Sequence, residues 1–300
     1  MATLYLVSTP IGNLGDLTRR AQEVLAEADR VLAEDTRRTR TLLTHLGLRT
    51  PMTSLHAHNE ASRIALILKW LSAGEELALV SDAGTPLVSD PGSRVVEAVV
   101  KAGFRVVPIP GPSAVLAALV GAGLPFHRFT FLGFLPRKGK ERKALLERVA
   151  SASETSVLFE SPERLGRLLD GLAVACGAGR RGAVAREVTK LHEEFVRGTL
   201  AELREWFEAH PPRGEITVVV AGLSADDGAE ASGGEALEEE AHSLGRALLE
   251  SGMPASRVAR ELARQLGLPR NRAYGLVQDL VEHSVADPDS VGEDRGEPGG

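Results

Sequence analysis

The sequence predicts an α/β protein made of two α/β subdomains with a small-ligand crevice, followed by a small helical C-terminal module. Short β-rich runs alternate with amphipathic helical stretches through the first half, and Gly- and Pro-rich segments fall where the β runs end. The second half brings strands together through very short connections, which implies antiparallel pairing and a mixed sheet. At 300 residues and 43% apolar, the chain suffices for about two cores at ~150 residues per domain.

Taken in order, residues 3–8 read as a buried strand, 18–28 as a helix, 30–33 as a strand and 36–46 as a helix stopped by Gly47. A helix at 60–73, a strand at 77–81, a helix at 92–102 stopped by Gly103 and a strand at 104–108 continue the alternation. An apolar helix then opens at 110–113 and ends near Gly121, so the first subdomain is expected at 1–120. The second, at 121–223, has strands at 129–135, 156–159, 182–188, 193–198 and 215–221 and helices at 140–150, 162–175 and 200–209. Residues 224–240, poor in bulky apolar side chains, read as a flexible linker. Helical periodicity returns over 241–283, with a turn at 267–269, and the acidic end at 284–300 is expected to be disordered.

Composition narrows the function. One cysteine, Cys176, rules out an internal disulfide framework and a multi-thiolate zinc site, and no metal is expected. The longest apolar stretch, 13 residues at 114–126, is short of the roughly 20 that a membrane helix needs. With no cationic region before the first apolar run, a cytoplasmic location is the expectation. The net charge of −6 hides an asymmetry: residues 224–300 hold 16 acidic and 7 basic side chains, whereas 1–223 hold 25 and 28. The mildly basic body is compatible with a nucleic-acid partner.

Three strand-end loops carry the chemistry. S-T-P-I-G-N-L-G-D at 8–16 follows the first strand, V-S-D-A-G-T-P-L-V-S-D-P-G at 80–92 follows another, and P-I-P-G-P-S-A at 108–114 a third. Such loops, at the carboxyl ends of parallel strands, form one crevice and let backbone N–H groups approach a ligand. Asp82 could accept hydrogen bonds there, while Asp90 reads as a helix-start residue and Ser113 as an N-cap. The sole G-x-G-x-x-G, at Gly177, Gly179 and Gly182, follows a helix and precedes a strand, the reverse of a dinucleotide fingerprint. P-R-K-G-K-E-R-K at 136–143 concentrates Arg137, Lys138, Lys140, Arg142 and Lys143, a candidate for contact with a nucleic-acid phosphate backbone.

With E-D-T-R at 34–37, H-N-E at 58–60, G-F-L-P-R-K at 133–138, E-S-P-E-R at 160–164 and A-R-E-V-T-K at 185–190, the first two loops complete seven ordered blocks. Together they resemble the bacterial ribosomal RNA small subunit methyltransferase I family, within the tetrapyrrole methylase-like class. The resemblance implies a homodimeric enzyme that uses S-adenosyl-L-methionine to methylate the ribose 2′-hydroxyl of a decoding-centre cytidine, number 1402 in standard 16S rRNA numbering, in the small ribosomal subunit. It also implies donor contacts from Pro10 and Gly12, from Asp82, Gly84 and Thr85, and from Ser113 and Ala114. On the second subdomain it implies Phe159, Arg186, Glu187, Val188, Glu215, Ile216 and Thr217. A ribose hydroxyl needs a proton acceptor, and the carboxylates Glu34, Asp35 and Glu60, the imidazole His58 and the amine Lys190 are the candidates, with Arg186 for nearby charge. Two rivals remain open from the residues: methylation of a uroporphyrinogen or precorrin on the same scaffold, and a ligand-sensing helix-turn-helix regulator built on the arginine-rich C-terminal helices.

Overall fold

The structure is a computed structural model that describes residues 2–223, 234–266 (backbone alone for 234–239), 268, 273–278 and 280. The chain divides into two units, Met1–Leu223 and Ser224–Gly300.

In the first unit, β1 (Thr3–Val7), β2 (Arg30–Ala33), β3 (Met52–Ser54), β4 (Leu77–Val80) and β5 (Arg105–Ile109) form a sheet ordered β3-β2-β4-β1-β5. Every pair is parallel. A parallel sheet must be covered on both faces, so its inner strands are apolar on both. On β4, Ala78 and Val80 pack with Leu25 and Leu42 of α1 (Arg19–Glu27) and α2 (Thr36–His45). Leu77 and Leu79 face the other way, toward Ile67 and Val95 of α3 (Glu60–Ser72) and α4 (Ser93–Lys101). Each such leucine, all but removed from water, contributes about 1.5–3 kcal/mol. The edge strand β3 is absent from the sequence expectation, because three residues are too few for alternation to register.

The second sheet runs β6 (Phe129–Phe134), β7 (Thr155–Glu160), β10 (Ile216–Val220), β8 (Arg181–Arg186), β9 (Glu194–Thr199). β6 and β7 are parallel and the other pairs antiparallel, so the sheet is mixed as expected. The helices α6 (Lys140–Ser151), α7 (Pro162–Cys176) and α8 (Leu200–Ala209) cover one face. The opposite face is covered by α5 (Ala114–Gly121), whose Val115, Ala118 and Leu119 pack with Val157, Ala183 and Val219. A boundary at residue 120 thus assigns α5 to the first subdomain although its core contacts are with the second sheet. An all-apolar helix has no polar stripe to reveal which sheet it serves.

In the second unit, α9 (Gly234–Glu250) and α10 (Ala255–Gln265) share a small core of Ala241, Val258 and Leu262 with Leu276 and Val277 of a helical stretch at 273–278. α9 begins at Gly234, inside the segment read as linker, because E-A-L-E-E-E-A favours helix whether or not it has an apolar face. The remainder of that linker, the turn residues Gly267 and Pro269 and the acidic end at 284–300 lie outside the described residues. Among the described residues, no helix is long and apolar enough to cross a membrane.

Candidate active site

The three strand-end loops meet at one edge of the parallel sheet. Thr9 and Gly84 exchange backbone hydrogen bonds of 2.9 and 3.0 Å, stitching the loop after β1 to the loop after β4. Gly84 sits at φ +82°, a left-handed conformation that favours glycine. Thr85 Oγ1 donates to the Pro112 carbonyl at 3.1 Å and ties in the third loop. Beyond this edge lies a cavity of about 390 Å³ closed on its far side by the second sheet.

Gly84, Thr85, Ser113 and Ala114 line the cavity from the first half, and Phe159, Val188, Glu215, Ile216 and Thr217 from the second. These nine come from the donor contacts implied by the resemblance, and the cavity brings them together. Residues outside those implied donor contacts join them: Ile11, Phe134, Glu160 and Asp90 among others, the last expected only to start a helix. The Phe134 and Phe159 rings, 5.6 Å apart between centroids and tilted 56° to each other, make an apolar wall. No lysine, arginine or histidine lines the cavity, whereas Asp90, Glu160 and Glu215 do. Such a lining favours a cationic ligand with a flat apolar portion.

Pro10, Gly12, Asp82, Arg186 and Glu187 do not line it. Asp82 instead accepts a hydrogen bond from the Asp35 backbone N–H at 2.9 Å and lies 3.7 Å from Arg38 Nε. Arg186 donates to Glu194 at 3.0 Å and to the Arg213 carbonyl at 3.4 Å. Gly12 lies under the Lys190 side chain, which a Cβ there would overlap. Glu187 Oε1 accepts from Lys190 Nζ at 2.6 Å and from the Glu215 N–H at 3.0 Å. Among the described residues, the non-glycine positions with positive φ are Leu87, Ser89, Glu187 and Thr189, in two loops that flank the cavity. Backbone strain of this kind costs about 1–3 kcal/mol per residue and persists where the surroundings over-determine it.

The candidate proton acceptors separate clearly. Asp35 caps α2 and accepts from the Arg37 N–H at 2.8 Å and from its guanidinium at 2.7 and 3.0 Å. Those bonds hold its carboxyl down at about 2. Burial draws the Lys190 ammonium down, but its bonds to Glu187 and Glu215 outweigh this and its pKa is raised, so the amine stays protonated. Glu60 is 6% exposed, and its Oε1 accepts from the Arg94 and Val95 N–H groups at 2.6 and 3.2 Å. It therefore caps α4, the helix that Asp90 was expected to start. Asp90 is left facing the cavity, where burial, with repulsion from Asp82, pushes it up to about 6 against a hydrogen bond from Ser81. Glu34, at the end of β2, is also raised, by burial and by the charges of Asp90 and Asp82. Among the described residues, no group of three or more His, Cys, Asp or Glu side chains could hold a metal ion.

In the basic stretch, Arg137, Lys138, Lys140 and Lys143 are exposed. Arg142 is not: it is 9% exposed and donates to the Pro136 and Arg167 carbonyls, both at 3.3 Å, so it holds α6 and α7 together instead of standing in solvent. Position 142 falls on the inward side of α6, which a count of charges cannot reveal.

An open parallel sheet joined to a mixed one, with a cavity at the strand ends between them, is the architecture of the tetrapyrrole (corrin/porphyrin) methylases, and residues 3–204 match that family. The uroporphyrin-III C-methyltransferase of Thermus thermophilus, solved complexed with S-adenyl homocysteine, superposes with a TM-score of 0.54 at 21% identity, covering 73% of this chain and 97% of that one. More specifically, the chain belongs to the ribosomal RNA small subunit methyltransferase I family. It is 44% identical to the Synechocystis member over 280 residues, 93% of this chain and 99% of the relative. The Xylella fastidiosa member is 44% identical over 275 residues, 91% of this chain and 98% of its own length.

Proposed function

We propose that the chain transfers a methyl group from S-adenosyl-L-methionine to small-subunit ribosomal RNA, and that the acceptor is the ribose 2′-hydroxyl of the decoding-centre cytidine 1402 in standard 16S rRNA numbering. The observation that carries the donor assignment is the cavity lining: the carboxylate of Asp90, unpaired among the described residues, no cationic side chain, and a phenylalanine wall, with Glu160 and Glu215 held by Arg164 and Lys190 from outside the lining. A sulfonium, an ammonium and an adenine are the groups such a lining suits. The names of the relatives support small-subunit rRNA as substrate.

Bound there, the donor supplies an electrophilic methyl with a good neutral leaving group, so orientation provides much of the acceleration. Asp90, which no cation pairs among the described residues, offsets the positive charge of the ligand. The hydroxyl of Ser113 is engaged with the Leu116 N–H at 3.4 Å and retains a proton to donate. Of the three candidate carboxylates, Glu34 alone has neither a capping bond nor a salt bridge among the described residues, and burial with the charges of Asp90 and Asp82 raises its affinity for a proton. We assign it the hydroxyl proton.

A homodimer fits the apolar side chains that α5 leaves exposed, Leu116 and Val120 at 53% and 65%. A ribosomal substrate supports a cytoplasmic location. The C-terminal unit, with exposed Arg257, Arg260 and Arg264 on α10, serves as an auxiliary RNA contact. Incubation with methyl-labelled donor and purified small subunits tests the reading. Label in the rRNA supports it, and label in a uroporphyrinogen or precorrin alone supports the rival.

A further inference from the structure

A second cavity, of about 270 Å³, opens where the loop after β6 meets the start of α7. It is lined by Arg137, Arg142, Arg164 and Arg167, with Ser161 and Glu163. Ser161 also lines the donor cavity, so the two spaces adjoin across one residue.

The four guanidinium groups are not equivalent. Arg164 pairs with the buried carboxylate of Glu160 at 3.1 Å and donates to the Leu135 carbonyl at 2.6 Å. Arg142 is fixed by the carbonyls of Pro136 and Arg167. These two form a rigid floor. Arg137 and Arg167 are exposed, and no carboxylate among the described residues pairs with either. Even with Glu160 and Glu163 counted against the four arginines, two positive charges remain in excess. Burial lowers the pKa of Arg142 against the attraction of Glu160, and Arg167 and Arg164 are close enough to add to the lowering. The N-terminus of α7 faces the same space, and Ser161, its N-cap, makes no side-chain capping bond.

We propose that this arginine pocket is an anion subsite that holds a backbone phosphate of the RNA next to the reacting ribose. The inference rests on the rRNA methyltransferase reading. Planar guanidinium groups grip phosphate oxygens by paired hydrogen bonds, and a phosphate fixed one residue from the donor cavity sets the position of the adjoining sugar. The exposed lysines of the basic stretch then add general attraction to the RNA, while the pocket selects register.

The test compares wild type with R137Q/R167Q and with the charge-keeping R137K/R167K, all as the full chain. The measurements are KM and kcat for small subunits over a range of salt, donor affinity by calorimetry, and thermal unfolding. R137Q/R167Q should raise KM about tenfold or more, as expected for losing charge-assisted hydrogen bonds. It should also flatten the salt dependence of binding by about 0.7 in log–log slope for one phosphate, leaving donor affinity and unfolding unchanged. R137K/R167K should recover the slope but only part of KM, because an ammonium lacks the paired geometry. Wild-type KM and slope in the Gln pair, while wild type methylates rRNA, would overturn the subsite and leave the enzyme reading intact. Lost donor affinity in the Gln pair would assign the pocket to the donor carboxylate and also overturn it. A wild type that labels no rRNA would instead defeat the reading on which the subsite rests.

Discussion

The Glu60 carboxylate accepts a hydrogen bond from the Arg94 backbone N–H at 2.6 Å, so the first residue of α3 caps the N-terminus of α4. Helix starts carry unpaired N–H groups and partial positive charge, and a buried carboxylate answers both. Glu60→Ala should therefore destabilise the first unit by about 1–3 kcal/mol, lowering its melting temperature by roughly 2–4 °C per kcal/mol. Donor affinity and kcat at a permissive temperature should hold. A deep loss of kcat in a variant that melts like wild type would return Glu60 to the chemistry.

Freed from capping, Asp90 carries a charge the fold disfavours. Its folded pKa of about 6 lies above the ordinary 3.8, so between those values the folded chain binds a proton that the unfolded chain has released. Stability therefore falls as pH rises through this window, and the penalty is complete above it. With allowance for partial exposure, unliganded Asp90→Asn should be more stable than wild type by about 1 kcal/mol above pH 6, the difference fading by about pH 4. Melting curves at the two extremes check the sign. Donor affinity should behave oppositely, falling in the variant and, in wild type, weakening about tenfold for each pH unit below 6 if the ionised form binds the donor cation. Flat calorimetric affinity between pH 5 and 8 would remove Asp90 from the donor site.

Glu34→Gln tests the assignment of the proton. The variant should keep its donor affinity and lose kcat by about 10²–10⁴-fold, the usual contribution of a positioned acid or base. In wild type, kcat should rise with pH as the raised Glu34 carboxyl ionises. Activity undiminished in Glu34→Gln would assign the proton elsewhere.

Lys190 lies across Gly12 with its ammonium held by Glu187 and Glu215. Gly12→Ala should displace it, and Lys190→Ala should remove it. If both act through that packing, the double variant will lose less donor affinity than the sum of the single losses. Strict additivity would mean that the two positions act independently.

A charge on the exposed face of α5 tests the homodimer. Leu116→Glu with Val120→Glu should shift the sedimentation coefficient from dimer to monomer without unfolding, since the buried face of α5 is untouched. A dimer of wild-type strength would place the interface elsewhere.

Both sheets and most helices could be read from the sequence because β4, β1 and the amphipathic helices obey local periodicities. The crevice could be read because Thr9, Gly84 and Ser113 each belong to a loop whose composition exceeds what a turn requires. What escaped was relational. Glu60 and Arg94 are 34 positions apart, so no local pattern can show that one caps the helix of the other, and Asp90 next to Pro91 and Gly92 is locally indistinguishable from a cap. Arg142 looks like its exposed neighbours until the helix phase is fixed by Leu145, Leu146 and Val149 packing inward. The arginine pocket joins Arg137 to Arg164 and Arg167 from a different element, and only the fold brings them together.

The most direct test of the central claim is the chemical position of the transferred methyl. Small subunits labelled by the purified enzyme and methyl-labelled S-adenosylmethionine are stripped of protein, and the RNA is hydrolysed in alkali. Cleavage needs a free 2′-hydroxyl, so a ribose methyl leaves the label in an alkali-resistant dinucleotide, and the account predicts one such dinucleotide beginning with cytidine. Label released as a mononucleotide methylated on its base, or no label in RNA while a tetrapyrrole acceptor is labelled, would contradict it.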